Sequence, residues 1–307
     1  MSRLDPALAD YLRLRRSLGY KLERAAKLLA QFTAYLDAIG ADTVTIEAAL
    51  AWATQPVGAS PSWWAGRLTV VRGFAAYLHA LDPAHEPVPT DLLPDRGPRT
   101  TPYLYADIDI VALMAATATL RTPHRAATYE TLIGLLAVTG LRVGEAIRLD
   151  RADIDASEGL LVVRTSKFGK SREVPLHPTT VAALRRYLRR RDRPRRVGTA
   201  ALLVSGAGTR LLYCNVDWTF LRLVRCAGLV PRSASCRPRL HDLRHTFAVR
   251  TVLDAYRADA DVGARLPLLS TWLGHVDPGA TYWYLSAAPE LLDLAGERLE
   301  RYLRDRP

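Results

Sequence analysis

Of the 307 residues only three are cysteine. Cys214, Cys226 and Cys236 are odd in number and show neither a CxxC pair nor a Cys/His spacing. That excludes a disulfide framework and a structural zinc site as organising devices. Lysine is almost as scarce: with only Lys21, Lys27, Lys167 and Lys170, 38 of the 42 basic residues are arginine. No apolar run approaches the roughly 20 residues a membrane-spanning helix needs. The longest near the middle, 132–138, is stopped by Thr139 and Gly140. Residues 1–6 lack the apolar core of a secretory signal. A cytoplasmic chain with no membrane partner is the expectation.

Acidic residues are outnumbered, 31 against 42, giving a formal net charge of +11. With 49% hydrophobic and 24% charged residues, the chain has the make-up of a globular protein. The excess is uneven: residues 1–102 carry a net +1 and residues 103–307 a net +10. A pI near 9.9 with the charge in one half points to a polyanion partner, most simply nucleic acid. The planar arginine fork suits phosphate, although a GC-rich genome also enriches arginine and alanine. Charge by itself does not separate DNA from RNA or an anionic membrane surface.

Apolar residues at helical spacing predict four helices in the first 81 residues: 6–18 and 22–39, closed by Gly19 and Gly40, one capped by Thr45, and one capped by Ser60 or Ser62. Six prolines between residues 82 and 102 then mark an extended interdomain linker. The division expected is 1–82, a linker over 83–102, and 103–307. In the second domain helices are expected over 107–119, 129–139, 140–149, 216–227, 241–256, 266–273, 281–285 and 289–303. Another opens at Pro178 and ends in a run holding eight arginines over 185–196. Residues 160–165 and 172–176 read as a β-hairpin with a basic tip. The whole is mainly α with one small antiparallel sheet.

Four separated pieces carry chemistry: TGLRVGE over 139–145, Lys167 on the hairpin within KFGKSREVPL over 167–176, HDLRHTFA over 241–248, and LGH over 273–275 followed nine residues later by Tyr284. Each is weak alone. Together and in this order they resemble the tyrosine recombinase, or phage integrase, family, over essentially the whole chain. The resemblance implies a helical core-binding (SAM-like) bundle followed by an α+β DNA breaking-rejoining catalytic domain. It implies a site-specific recombinase of transposon or Xer type, acting on double-stranded DNA as a homo-tetramer on paired sites, with or without a sister recombinase. A cytoplasmic, nucleoid-associated protein follows.

The roles it implies fit phosphoryl-transfer chemistry without a metal or other cofactor. Arg142 and Arg244 would present guanidinium forks to the non-bridging oxygens of the scissile phosphate. His275 would donate a further hydrogen bond. Tyr284 would attack phosphorus to form a 3′-phosphotyrosyl link. A phenol has an ordinary pKa near 10, so His241 is the candidate base. Lys167 is the candidate acid for the departing 5′ hydroxyl, with Lys170 as competitor. Glu145, three residues after Arg142, is expected to orient that arginine, and His245 to pack or bond locally. Tyr282 sits about 200° around a helix from Tyr284, so the two cannot face one phosphate. DNA-phosphate contacts are expected from Lys170 and Arg172, and in the N-terminal domain from Arg13, Arg16, Lys21, Arg24, Lys27, Arg67 and Arg72. The near-neutral N-terminal domain departs mildly from that expectation. The last helix would pack on its own domain or dock on a neighbouring subunit. The rivals are a type IB topoisomerase-like enzyme that relaxes DNA and a non-catalytic DNA-binding accessory protein.

Overall fold

The computed structural model describes residues 3–94, 101–164, 171–192, 198–275, 279–282 and 289–304. The chain divides into two compact units, Met1–Arg99 and Thr100–Pro307.

Unit one is built on α1 (Asp5–Ser17), α2 (Glu23–Ala38), α3 (Ile46–Thr54) and α4 (Pro61–Leu81). Thr45 caps α3 by accepting the Ala48 N–H at 3.1 Å, and Ser60, not Ser62, caps α4 through the Trp63 N–H at 3.3 Å. Apolar residues one helical turn apart meet inside: Leu29, Phe32, Leu36, Trp52, Leu68, Val71 and Phe74 are all buried. The proline-rich stretch departs from the expected spacer. His85 Nδ1 accepts the Val44 N–H at 3.0 Å, a Glu86 carboxylate oxygen accepts the Ile46 N–H at 2.7 Å, and Val88 is buried in the bundle core. Prolines offer no N–H for backbone pairing, so these side-chain contacts supplement the backbone bond from the Glu86 N–H to Val44 O at 2.8 Å. Residues 85–90 therefore belong to the bundle.

Unit two contains α5 (Asp107–Ala116), α6 (Pro123–Thr139), α7 (Val143–Arg148), β1 (Ile154–Asp155), β2 (Leu160–Val163), β3 (Arg172–Pro175), α8 (Pro178–Arg191), α9 (Tyr213–Cys226), α10 (Asp242–Arg257), α11 (Val262–Leu273), α12 (Gly279–Tyr282) and α13 (Pro289–Arg304). The sheet is antiparallel in the order β1-β2-β3, with Leu161 opposite Val174 and Val163 opposite Arg172. β1, only two residues long, has no readable period. α6 begins at Pro123, ahead of the expected 129, because Thr122 caps it by accepting the Arg125 N–H at 3.2 Å. α11 begins at Val262 and carries Pro267 inside it, so the proline does not mark its start. The main core surrounds α6 through Leu132, Ile133 and Leu136. A second cluster joins α10, α11 and Leu291 of α13. α13 thus packs on its own unit, while Leu292, Leu299 and Leu303 lie exposed along it. Among the described residues no helix is long and apolar enough to cross a membrane.

Candidate active site

The site begins at Gly140, which ends α6 with φ +62°. A Cβ there would fall 2.5 Å from Phe247 Cδ1 and 3.0 Å from Leu273 Cδ2, so space as well as backbone conformation demands glycine. The turn it makes delivers Arg142 to the start of α7. One Glu145 carboxylate oxygen accepts the Arg142 backbone N–H at 3.0 Å, the reach-back contact of a capping box. The other accepts Arg142 Nη1 at 2.9 Å. The three-residue spacing of TGLRVGE therefore fixes both the backbone and the guanidinium of Arg142 with one carboxylate.

The second arm is the C-terminal end of α11. Its last carbonyls have no helical partner and lie at the negative end of the helix dipole. Arg244, almost wholly buried at the start of α10, donates from Nη2 to Leu273 O at 2.7 Å and from Nη1 to Gly140 O at 2.8 Å. Arg142 Nη2 lies 3.5 Å from the next carbonyl, Gly274 O. Two guanidinium groups thus meet on consecutive carbonyls. His275 follows directly. Its Nε2 lies 2.9 Å from Arg244 Nη2 and its Nδ1 2.7 Å from Thr281 Oγ1. A guanidinium only donates, so Nε2 accepts, and in the neutral ring Nδ1 donates to Thr281.

The histidines are held neutral. Burial, then the positive charges of Arg244 and Arg142, depress His275 to about 4, and the same causes in the same order depress His241 to about 4. His245 falls to about 3, from burial first and then from His241 and Arg239. His241, immediately before α10, is exposed to solvent. It stands edge-on to His245, ring centroids 4.7 Å apart. The turn that presents His241 and Arg244 is anchored by fully buried Asp242, which accepts from Arg239 Nε at 3.1 Å and Nη2 at 2.9 Å.

Glu145 is the counter-charge at the centre. Burial would raise its pKa, but hydrogen bonds and charge from Arg172, followed by those from Arg142, bring it down to about 2.

The structure thus brings Arg142, Glu145, Arg172, His241, Arg244, His245 and His275 together from α7, β3, α10 and the end of α11. Lys167, Lys170 and Tyr284 lie outside the described residues. Arg13, Arg16, Lys21, Arg24 and Lys27 are exposed in unit one, on or between α1 and α2. Three expected phosphate contacts need correction. Arg67 is buried, stacked 3.7 Å over the Trp52 ring and donating to Trp52 O at 2.8 Å. Arg72 donates to the carbonyls of Val88, Pro89 and Thr90, tying down the proline-rich segment. Arg172 is turned inward onto Glu145. In each case acceptors of the protein itself already hold the guanidinium, with Arg67 buried as well. Thr281, the partner of His275, carried no signal in the sequence.

This arrangement is that of the tyrosine recombinase fold. The solved Tn1549 transposon integrase, in complex with transposon right-end DNA, matches with TM-score 0.65 at 18% identity over 98% of this chain and 99% of that one. The XerH site-specific recombinase bound to palindromic difH matches with TM-score 0.65 at 18% identity over 90% and 78%. Residues 104–290 match the phage integrase family, and the chain belongs to that family. A Sinorhizobium fredii protein bearing the name integrase/recombinase y4rB is 44% identical across 100% of both chains. The tyrosine recombinase XerC of Alcanivorax borkumensis is 30% identical over 71% of this chain and 66% of its own length. The activity of the chain is that of a tyrosine-type site-specific recombinase.

Proposed function

We propose that Arg142, Arg244, His241 and His275, with Lys167 and Tyr284, form the centre at which this recombinase cleaves and rejoins double-stranded DNA. The observation that carries the reading is the pairing of Arg142 and Arg244 on consecutive carbonyls of the α11 C-terminal turn beside His275. Fixed guanidinium groups stabilise the charge that localises on phosphate oxygens as a nucleophile adds. A phosphate arriving at Arg244 takes up the Nη2–H that His275 now accepts. Its negative charge also raises the imidazole pKa, favouring the protonated form that can donate.

In the chemical step the Tyr284 oxygen bonds to phosphorus as the P–O5′ bond breaks. The phenol proton passes to neutral His241, and O5′ takes a proton from Lys167. Rejoining runs these transfers backwards with a 5′ hydroxyl from another strand, so the phosphodiester energy stays in the phosphotyrosine. A depressed pKa leaves His241 unprotonated at neutral pH, as a base must be.

DNA as partner is supported by the integrase and XerH complexes of the same fold and by the net charge of +11. A role in moving a mobile element is supported by the full-length likeness to an integrase/recombinase. A homo-tetramer on paired sites is supported by the exposed leucines 292, 299 and 303 on α13, which leave an apolar face for a neighbouring subunit. In the cell the protein would then be nucleoid-associated. The test is covalent trapping on a nicked suicide duplex. Wild type should give a protein–DNA adduct on a denaturing gel and Tyr284→Phe none. An adduct that survives in the variant assigns the nucleophile elsewhere, first to Tyr282.

A further inference from the structure

Glu145 has two arginine partners, and only Arg142 grips substrate in the reading above. Arg172 opens β3, on the return arm of the hairpin that carries Lys167. Its Nη1 and Nη2 lie 3.2 and 2.9 Å from the two carboxylate oxygens of Glu145, a two-point fork. Its Nε donates to Trp272 O at 2.7 Å. The guanidinium lies against Gly274, where a Cβ would come within 2.9 Å of Nη1. The side chain is only 10% exposed. Every nitrogen of this arginine therefore has a protein acceptor, and phosphate has little access to it.

We propose that Arg172 is a positioning residue for strand cleavage. It locks the Glu145 carboxylate, and through it Arg142, and it ties the base of the Lys167 hairpin to the α11 turn that precedes His275. The inference rests on Arg142 acting as a phosphate-binding group.

A carboxylate offers about four lone-pair positions. Those of Glu145 meet the Arg142 N–H, Arg142 Nη1, and Arg172 Nη1 and Nη2. With the Arg172 fork removed, the carboxylate is free to turn, and Arg142 turns with it. The hairpin base at the same time loses its bond to Trp272 O. Lysine keeps the charge but cannot reproduce the fork. A shift of about 1 Å in a substrate-holding group costs on the order of 100-fold in rate.

The experiment uses full-length Arg172→Lys and Arg172→Gln with a nicked suicide duplex on which wild type forms its adduct. Three quantities are measured: the single-turnover rate at saturating DNA, the salt dependence of binding, and the melting temperature. The expected result for the lysine variant is a rate about 100-fold lower, with affinity and salt slope within twofold of wild type. The glutamine variant should be slower still. Its acid limb should move to higher pH, because buried Glu145 then protonates more readily. Adding Glu145→Gln should abolish that shift, an outcome a merely structural arginine would not produce.

A salt slope reduced by about one with the saturated rate unchanged would make Arg172 a phosphate contact and overturn the proposal. Loss of the folded state in both variants would assign Arg172 to stability and also overturn it. Arg142→Ala separates the two layers. If Arg142→Ala is inert while Arg172→Lys cleaves at the wild-type rate, the inference alone fails. If Arg142→Ala cleaves at the wild-type rate, the site reading fails with it.

Discussion

Gly140→Ala is the substitution on which the geometry of the site can be tested most directly. Two separate penalties apply. At φ +62° an L-residue with a Cβ meets its own following carbonyl, which costs roughly 1–2 kcal/mol. The new methyl would also fall 2.5 Å from Phe247 Cδ1 and 3.0 Å from Leu273 Cδ2. Phe247 cannot simply withdraw. It stacks on Trp272 with ring centroids 6.1 Å apart, and Trp272 is itself fixed by an Nε1–H bond to Thr139 O at 2.9 Å. Overpacking of this kind costs about 1–3 kcal/mol. Together they come to about 3 kcal/mol, which lowers the melting temperature of a domain of roughly 200 residues by on the order of 10 °C. Activity should fall as well, because the Gly140 carbonyl accepts Arg244 Nη1 at 2.8 Å and shifts with the turn. The assay is thermal unfolding of the full chain beside adduct formation on suicide DNA. Gly134→Ala is the internal control. That glycine lies within α6, where alanine gains about 0.5–1 kcal/mol, and its Cβ would meet the flexible end of Met114, the methyl at 3.4 Å and the sulfur at 3.8 Å. If Gly140→Ala melted within a degree of wild type, the clash and the strain would both be wrongly assigned.

His241 and His275 at about 4 and His245 at about 3 lie below the ordinary 6.5, so the unfolded chain takes up protons first on acidification. Stability should hold above about pH 6.5 and be lost as pH falls towards 4. Imidazole nitrogen NMR should find His275 neutral at pH 7 with Nε2 bare, and a ring titrating near 6.5 would refute this. Arg67→Ala should cost about 1–3 kcal/mol in denaturant unfolding through the lost hydrogen bond and ring contact, and leave the salt slope of DNA binding unchanged. A slope reduced by about one without loss of stability would restore Arg67 as a phosphate contact.

The sequence by itself determined which segments are helical and some of their ends, because a 3.6-residue apolar period and a cap such as Thr45 are local properties. It determined the Arg142–Glu145 contact too, since three residues at a helix start define one turn. It also determined the family, because TGLRVGE, HDLRHTFA and LGH occur in a fixed order. The two-residue β1 and the early start of α6 were not legible, since one is shorter than any period and the other is polar at its first turn. Only the tertiary structure decided which arginines are spent inside the protein. Arg67 and Arg172 read like Arg16 or Arg24 in the sequence, where every guanidinium carries the same charge. What separates them is what lies opposite: the Trp52 ring and its carbonyl for Arg67, the Glu145 carboxylate and Trp272 O for Arg172. Those acceptors come from other elements, Glu145 and Trp272 being 27 and 100 residues away from Arg172. Distances of that kind are set by packing, and a charge buried against such partners is no longer offered to phosphate.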